Sequence, residues 1–512
     1  MLVLLALIGL IGFMPAFAET QINDDNLVLE TYVVKIPQNP TTMTFVGDDI
    51  LVLQRYTGQV RLVHDGVLQE KPVLDVAIAK DGERGMLGIT SVGSTVYVYF
   101  TASDVDGGKA IENRIYRYQW NGEDLVDPVL MKTLPSDNFY HNGGAMTNFD
   151  GQVYAVIGDN GNYGKLQNRD ADWKEDTSVI LRIDPPGPYY AMGIRNSFGI
   201  AVDPFTGNLW DTENGDDVND EINMVPENFN SGWIEIMGPA KSQSQIDALP
   251  KYGNFVYSDP EFTWEKPIAP TAISFVKSEE LKDYQDSVFV GDCNTGNLYR
   301  FKLDSTRTGF VFESPELLDR IHNVNESMDE IIFGTGFGCI TDIEVGPDGF
   351  IYIVSLSEER IYRIIPKAVA EEMAIDSTTS AKGGCLIATA AYGTEMTQSV
   401  QLLREVREKI YSTESGASFM SSFNNAYYSF SPTIADLERE SPEFREVIKT
   451  AITPLLSTLL ILNYVDIDSE AKVLGYGIGI ILLNIGIYFV IPAILVIKSR
   501  DLLRRKGSIK DF

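Results

Sequence analysis

A histidine and an aspartate frame the stretch HNGGAMTNFDGQVYAVIGD, His141 to Asp159. Asp150-Gly151 stands between Gly-Ala-Met-Thr-Asn-Phe and the alternating run from Gln152 to Gly158, a strand-turn-strand signal. Antiparallel pairing about that turn places position 141 opposite 159 or 160, so an imidazole and a carboxylate meet at the open end of the hairpin. Those two groups suffice for a general base whose tautomer is held by an acid. Of the histidines His64, His141 and His322, His141 alone is followed by Gly-Gly, which lets a ligand approach the backbone. Taken from the residues alone, a polar loop histidine without a task is an equal reading.

The elements that must position this pair recur along the chain. An apolar strand, a Gly or Asp turn, a second apolar strand, a polar turn and a strand ending in Arg can be read in MTFVGDDILVLQRYTGQVRLV and in GMLGITSVGSTVYVYF with NRIYRYQW. The pattern returns in the His141 hairpin with VILRI, in FGIAVDPFTGNLWDTENG with DEINMV, in AISFVKSEELKDYQDSVFVGDCNTGNLYRFKL and in ITDIEVGPDGFIYIVSLSEERIYRI. Small antiparallel sheets at a spacing of roughly 40 to 60 residues are the signature of a propeller, because radial repetition buries faces that one blade cannot bury alone. The expected fold is therefore all-β, a six-bladed β-propeller over 27–366. The isolated strand Leu27 to Ile36 would complete the last blade and close the ring, and a β-sandwich is the rival architecture.

The chain has 512 residues, with 72 acidic against 41 basic side chains and a formal charge of -31. That balance argues against a nucleic-acid partner, because phosphate backbones need clustered Lys and Arg. Residues 1–18 are apolar and end in Ala16-Phe17-Ala18, the pattern of a signal peptide, although no basic residue precedes the run. After the propeller, 367–384 is small, polar and acidic and reads as a linker, and 385–470 is helical in period. Val473 to Ile497 carries no charge and is expected to be one C-terminal transmembrane helix, followed by a basic cytoplasmic tail over 498–512. The large domain would then lie outside the membrane. Ala451 to Val465 is too short for a span and reads as an amphipathic or interfacial helix.

With ERGMLGI, His141 and IGD, GIRNSFGIAVDP, the acidic DEIN turn and GPDGFIYIV in view, the chain resembles the glucose/sorbosone dehydrogenase family over roughly residues 40 to 365. These are propellers that include soluble quinoprotein glucose dehydrogenases and aldose sugar dehydrogenases. The resemblance implies oxidation of a sugar C1 hydroxyl by hydride transfer to pyrroloquinoline quinone, with calcium and an arginine polarising the quinone oxygens. By position His141 would be the base, Asp159 its orienting acid and Arg195 the cation facing the cofactor, with Asn196 beside it. Glu83 stands where those enzymes place a glutamine near the active site. ENGDDVNDEIN aligns with the family's calcium turn, so that Gly215 and Asp216 would offer carbonyls to calcium with Asp220 and Glu221 nearby. A solvated acidic loop is the alternative.

The chain also departs from the family. The glucose dehydrogenases meet the three cofactor carboxylates with a lysine and two arginines, and the matching positions here hold Asn294, Cys339 and Thr341. In the resembling enzymes, positions 293 and 339 lie near the same cofactor-facing end of adjacent blades. Cys293 and Cys339 are thus candidates for a disulfide there, and two buried free thiols are the alternative. Cys385 opens CLIATAAYGTEM, similar to a C-terminal box of bacterial and archaeal surface proteins. Two functions remain open: a membrane-anchored sugar dehydrogenase, or a cofactor-free propeller that binds a sugar or surface glycan.

Overall fold

The computed structural model describes residues 20–161, 163, 176–250, 253–371, 386–392, 441–463 and 470–490, with isolated positions between 400 and 438. The chain divides into two compact units, Met1–Pro366 and Lys367–Phe512.

The first unit is an all-β propeller. Among its described residues the strands form six sheets of four to six strands. Each sheet starts from an inner strand: Pro40–Val46, Met86–Val92, Met146–Phe149, Ser197–Val202, Pro270–Phe275 or Ile340–Val345. Each inner strand touches the next, and Ile340–Val345 touches Pro40–Val46, so the series is a closed ring. The ring encloses a cavity of about 400 Å³ lined by polar groups that include Thr44, Ser91, Asn148, Asp342 and Glu344. Asp342 and Glu344 open onto that cavity while protein surrounds them, and burial pushes the Asp342 carboxyl up to about 7.

Local chemistry sets the hairpins. At Asp150-Gly151 both φ angles are positive, +48° and +78°, as a two-residue turn matched to strand twist requires. Phe149 then pairs with Gln152 and Met146 with Ala155. Between sheets the faces interlock through aromatic side chains, of which Trp210, Phe262, Trp264, Tyr299 and Phe301 are fully buried in one cluster.

The ring is closed by the N-terminal strand Leu27–Val33, which pairs antiparallel with Arg360–Pro366 as the outer strand of the last sheet. Buried Arg363 donates across this seam to Glu30 at 2.5 Å, its guanidinium lies 4.8 Å from the Tyr32 ring, and on its own side it donates to Asp348 at 3.3 Å.

Buried acids make stability depend on pH, Glu261 among them. Glu261 accepts the Met224 N–H, and burial pushes its carboxyl from 4.5 up to about 8. The folded state therefore holds a proton that the unfolded chain has released, and stability falls as pH rises between those two values, by about 1.4 kcal/mol per pH unit at most. Glu261→Gln is expected to flatten this part of the profile, read by urea unfolding at pH 5 and pH 8. An unchanged slope would contradict the assignment.

In the second unit the structure describes helices Leu386–Tyr392, Pro442–Leu459 and Glu470–Ile485. No helix among the described residues is long and apolar enough to cross a membrane, and the span expected over 473–497 runs beyond them from 491 on. Glu470–Ile485 has 16 residues and passes into a π-helical turn at Gly486–Val490. Residues 491–497, the tail 498–512, the leader 1–18 and Cys385 lie outside the described residues.

Candidate active site

The His141 hairpin continues beyond its two strands. Gly144 N–H donates to the Val156 carbonyl at 2.9 Å, and Asn160 N–H donates to the His141 carbonyl at 3.2 Å, which sets 141 opposite 160. His141 takes a left-handed φ of +56° that turns its ring toward Asp159. The Gly-Gly that follows serves packing rather than ligand approach, because a Cβ on Gly144 would lie 2.5 Å from the Tyr99 ring and one on Gly143 would lie 2.5 Å from the Val156 carbonyl.

His141 Nδ1 and Asp159 Oδ1 are 2.7 Å apart, and Asp159 is fully buried. The second oxygen, Asp159 Oδ2, accepts the Trp233 indole N–H at 2.9 Å. A buried carboxylate held from two sides fixes the imidazole with Nδ1 as donor. That leaves Nε2, which has no partner among the described residues, as the nitrogen able to accept a proton. Glu83 joins the site: its Oε2 accepts the His141 backbone N–H at 2.6 Å, and burial pushes its carboxyl up against the opposing pull of His141, Arg55 and Arg195.

Arg195 sits beside the pair, its carbonyl accepting the Asp159 N–H at 2.9 Å. Its guanidinium donates to the Asn214 carbonyl at 2.8 Å, faces Asp216 at 3.3 Å and lies 5.3 Å from the Trp233 ring. Its backbone N–H donates to Glu213 Oε1 at 2.5 Å, and Glu213 Oε2 accepts the Ser231 hydroxyl. Burial, with Glu221 beside it, pushes the Glu213 carboxyl well up. Asn196 is buried, and its backbone carbonyl accepts the Asn214 backbone N–H and side-chain amide, while its Oδ1 is buried without a hydrogen-bond partner.

Among the described residues no group of three or more His, Cys, Asp or Glu could hold a metal ion. Asp220 accepts the N–H groups of Gly215, Ile268 and Ala269, at 2.8, 2.7 and 2.7 Å, and Glu221 accepts that of Gly238. Burial pushes the Glu221 carboxyl up to about 8. These two carboxylates tie backbone together, and Asp216 is engaged by Arg195 and by the Tyr163 hydroxyl. Gly215 is required by packing, since a Cβ there would lie 2.0 Å from the Val218 carbonyl.

This geometry coincides with a family pattern: the Glucose / Sorbosone dehydrogenase model matches residues 37–363. The chain belongs to that family. Among curated relatives of this family member, an uncharacterized protein of Synechocystis sp. is 24% identical over 62% of the chain and 81% of its own length. Quinoprotein glucose dehydrogenase B of Acinetobacter calcoaceticus is 25% identical over 37% of the chain, which spans about half of that relative (49%). The aldose sugar dehydrogenase of Streptomyces coelicolor in its PQQ-bound form covers 67% of the chain with a TM-score of 0.51 and 22% identity, 99% of its own chain being matched. The soluble aldose sugar dehydrogenase of Escherichia coli gives 0.53 at 19%, over 67% of this chain and all of that one (100%). At these identities the structural likeness is one of fold.

The positions expected to lack the cofactor's cations do so in the fold. Cys293 and Cys339 form a disulfide, with Cα atoms 3.7 Å apart, between neighbouring sheets. Thr341 Oγ1 donates to the Pro40 carbonyl at 3.4 Å, and Asn294 is exposed. A disulfide, a neutral amide and a hydroxyl already donating do not fit the three carboxylates of pyrroloquinoline quinone. The cross-link has its own consequence for stability. Closing a loop across 46 residues removes unfolded-chain entropy worth up to about 4 kcal/mol. Reduction, or Cys293→Ser, is expected to lower the urea midpoint accordingly, and an unmoved midpoint would show that the link contributes nothing.

Proposed function

We propose that this protein binds a neutral aldose beside the His141–Asp159 pair and oxidises its C1 hydroxyl, with each of the six sheets read as one blade of the propeller. The observation that carries this reading is the buried His141–Asp159 pair at 2.7 Å, with Trp233 on the far side of the carboxylate. His141 Nε2 takes the hydroxyl proton, Asp159 stabilises the imidazolium that forms, and Arg195 supplies positive charge beside the pair. Family membership supports a sugar substrate. Because the residues present do not fit resident pyrroloquinoline quinone, the hydride that leaves C1 goes to a diffusible two-electron acceptor of the quinone class, which His141 does not supply. The Cys293–Cys339 link supports work in an oxidising compartment outside the cytoplasm.

A second reading has its own support. The disulfide at 339 favours a propeller that binds a sugar or glycan without a cofactor. Oxidation of an aldose panel with an artificial electron acceptor, with and without added quinone and calcium, separates the two. Oxidation under any of these conditions supports the enzyme. Sugar binding without oxidation supports the second reading, and neither result sinks both.

A further inference from the structure

Tyr163 stands on the loop that follows Asp159 and is 59% exposed. Its φ of +59° lies in the left-handed region, which costs a side chain of this size about 1–2 kcal/mol. Two contacts hold it there. Its hydroxyl donates to Asp216 Oδ2 at 3.0 Å, and its ring lies 5.2 Å from the Trp233 ring at an interplanar angle of 33°. Asp216 Oδ1 faces Arg195 at 3.3 Å, and Trp233 donates to Asp159, which holds His141. Arg195, Asp216, Tyr163, Trp233, Asp159 and His141 are thus joined one to the next, and the series ends at the imidazole.

One face of the Tyr163 ring is covered by Trp233, and most of the rest of the side chain is left to solvent at the edge of the site. A pyranose whose hydroxyls are all equatorial presents flat C–H faces that stack on such a ring, while its edge hydroxyls need acceptors. Asp216 supplies an acceptor beside the ring, and the field of Asp216 and Asp217 already acts on the Tyr163 hydroxyl. The same field disfavours a substrate that carries a carboxylate.

We infer that Tyr163 is the platform on which the sugar ring stacks, and that it selects neutral pyranoses of the all-equatorial type over uronates. This rests on the sugar-binding reading above. No redox step is part of it.

The test is saturation-transfer NMR on the full chain, irradiating aromatic protons and observing D-glucose and D-glucuronate. The native protein is expected to transfer saturation to the ring C–H protons of glucose and to bind it more tightly than glucuronate. Tyr163→Ala is expected to weaken glucose binding about tenfold, equivalent to ~1.4 kcal/mol. Tyr163→Phe keeps the ring and is expected to stay within about threefold of native, well inside one decade of affinity. Thermal unfolding of each variant guards against misfolding. Equal glucose binding by native protein and Tyr163→Ala overturns the platform and leaves the sugar reading standing. Glucuronate bound as tightly as glucose overturns the charge selection. Failure of the native protein to bind any neutral pyranose overturns the sugar reading and the platform with it.

Discussion

Replacement of His141 by alanine is expected to lower the aldose-oxidising rate by about 10²–10⁴-fold, the usual contribution of a positioned general base. In the proposed reaction the imidazole meets the sugar hydroxyl, and Asp159, held by Trp233, fixes which of its nitrogens carries the proton. Asp159→Asn tests that division. An asparagine has one acceptor oxygen where two N–H donors now converge, so either His141 Nδ1 or Trp233 Nε1 loses its partner. The imidazole can then turn or change tautomer, and the rate is expected to fall by about 10²-fold or more with the fold intact. Rates measured with an artificial acceptor, together with rescue of His141→Ala by added imidazole, check both. A full rate in His141→Ala would remove the histidine from the chemistry.

The second large effect concerns stability. Arg363→Met is expected to cost about 3–5 kcal/mol, because it leaves the buried Glu30 carboxylate without its cation. Burial already pushes the Glu30 carboxyl up, and Arg363 pulls against that shift. Without the guanidinium the carboxyl rises further, so the folded variant binds a proton that the unfolded chain releases. Its deficit therefore grows as pH rises above the ordinary glutamate range and shrinks toward pH 4. Glu30→Gln combined with Arg363→Met is expected to recover most of the loss, since no charge then stays buried. Urea unfolding at pH 4 and pH 7 measures each step, and a loss under about 1 kcal/mol would show that the seam does not depend on this pair.

Particular residues show what the sequence could tell. The Asp150-Gly151 turn permits one two-residue geometry, and that geometry alone brings 141 to 159–160, so the pair was readable from spacing. The closing strand was readable because an apolar segment before the first blade had no local partner. Trp233 and Tyr163 were not readable: the indole reaches Asp159 across 74 residues, and no local pattern marks it. Asp220 and Glu221 look like metal ligands in a one-dimensional string because acidic residues cluster there. In the fold their oxygens meet backbone N–H groups from segments up to 49 residues away, which composition cannot reveal.

The seam between Leu27–Val33 and Arg360–Pro366 also bears on the order of events during synthesis. Glu30 and Arg363 are 333 residues apart, so the strand Leu27–Val33, made early, must wait for Arg360–Pro366 before it finds its edge. Bringing ends that distant together costs about 5 kcal/mol of loop entropy before any contact repays it. Long-range pairing of this kind slows folding and leaves an unpaired strand open to the wrong partner in the meantime. The charge on Glu30, buried only once Arg363 arrives, keeps the waiting strand soluble and makes its final partner the one that can neutralise it.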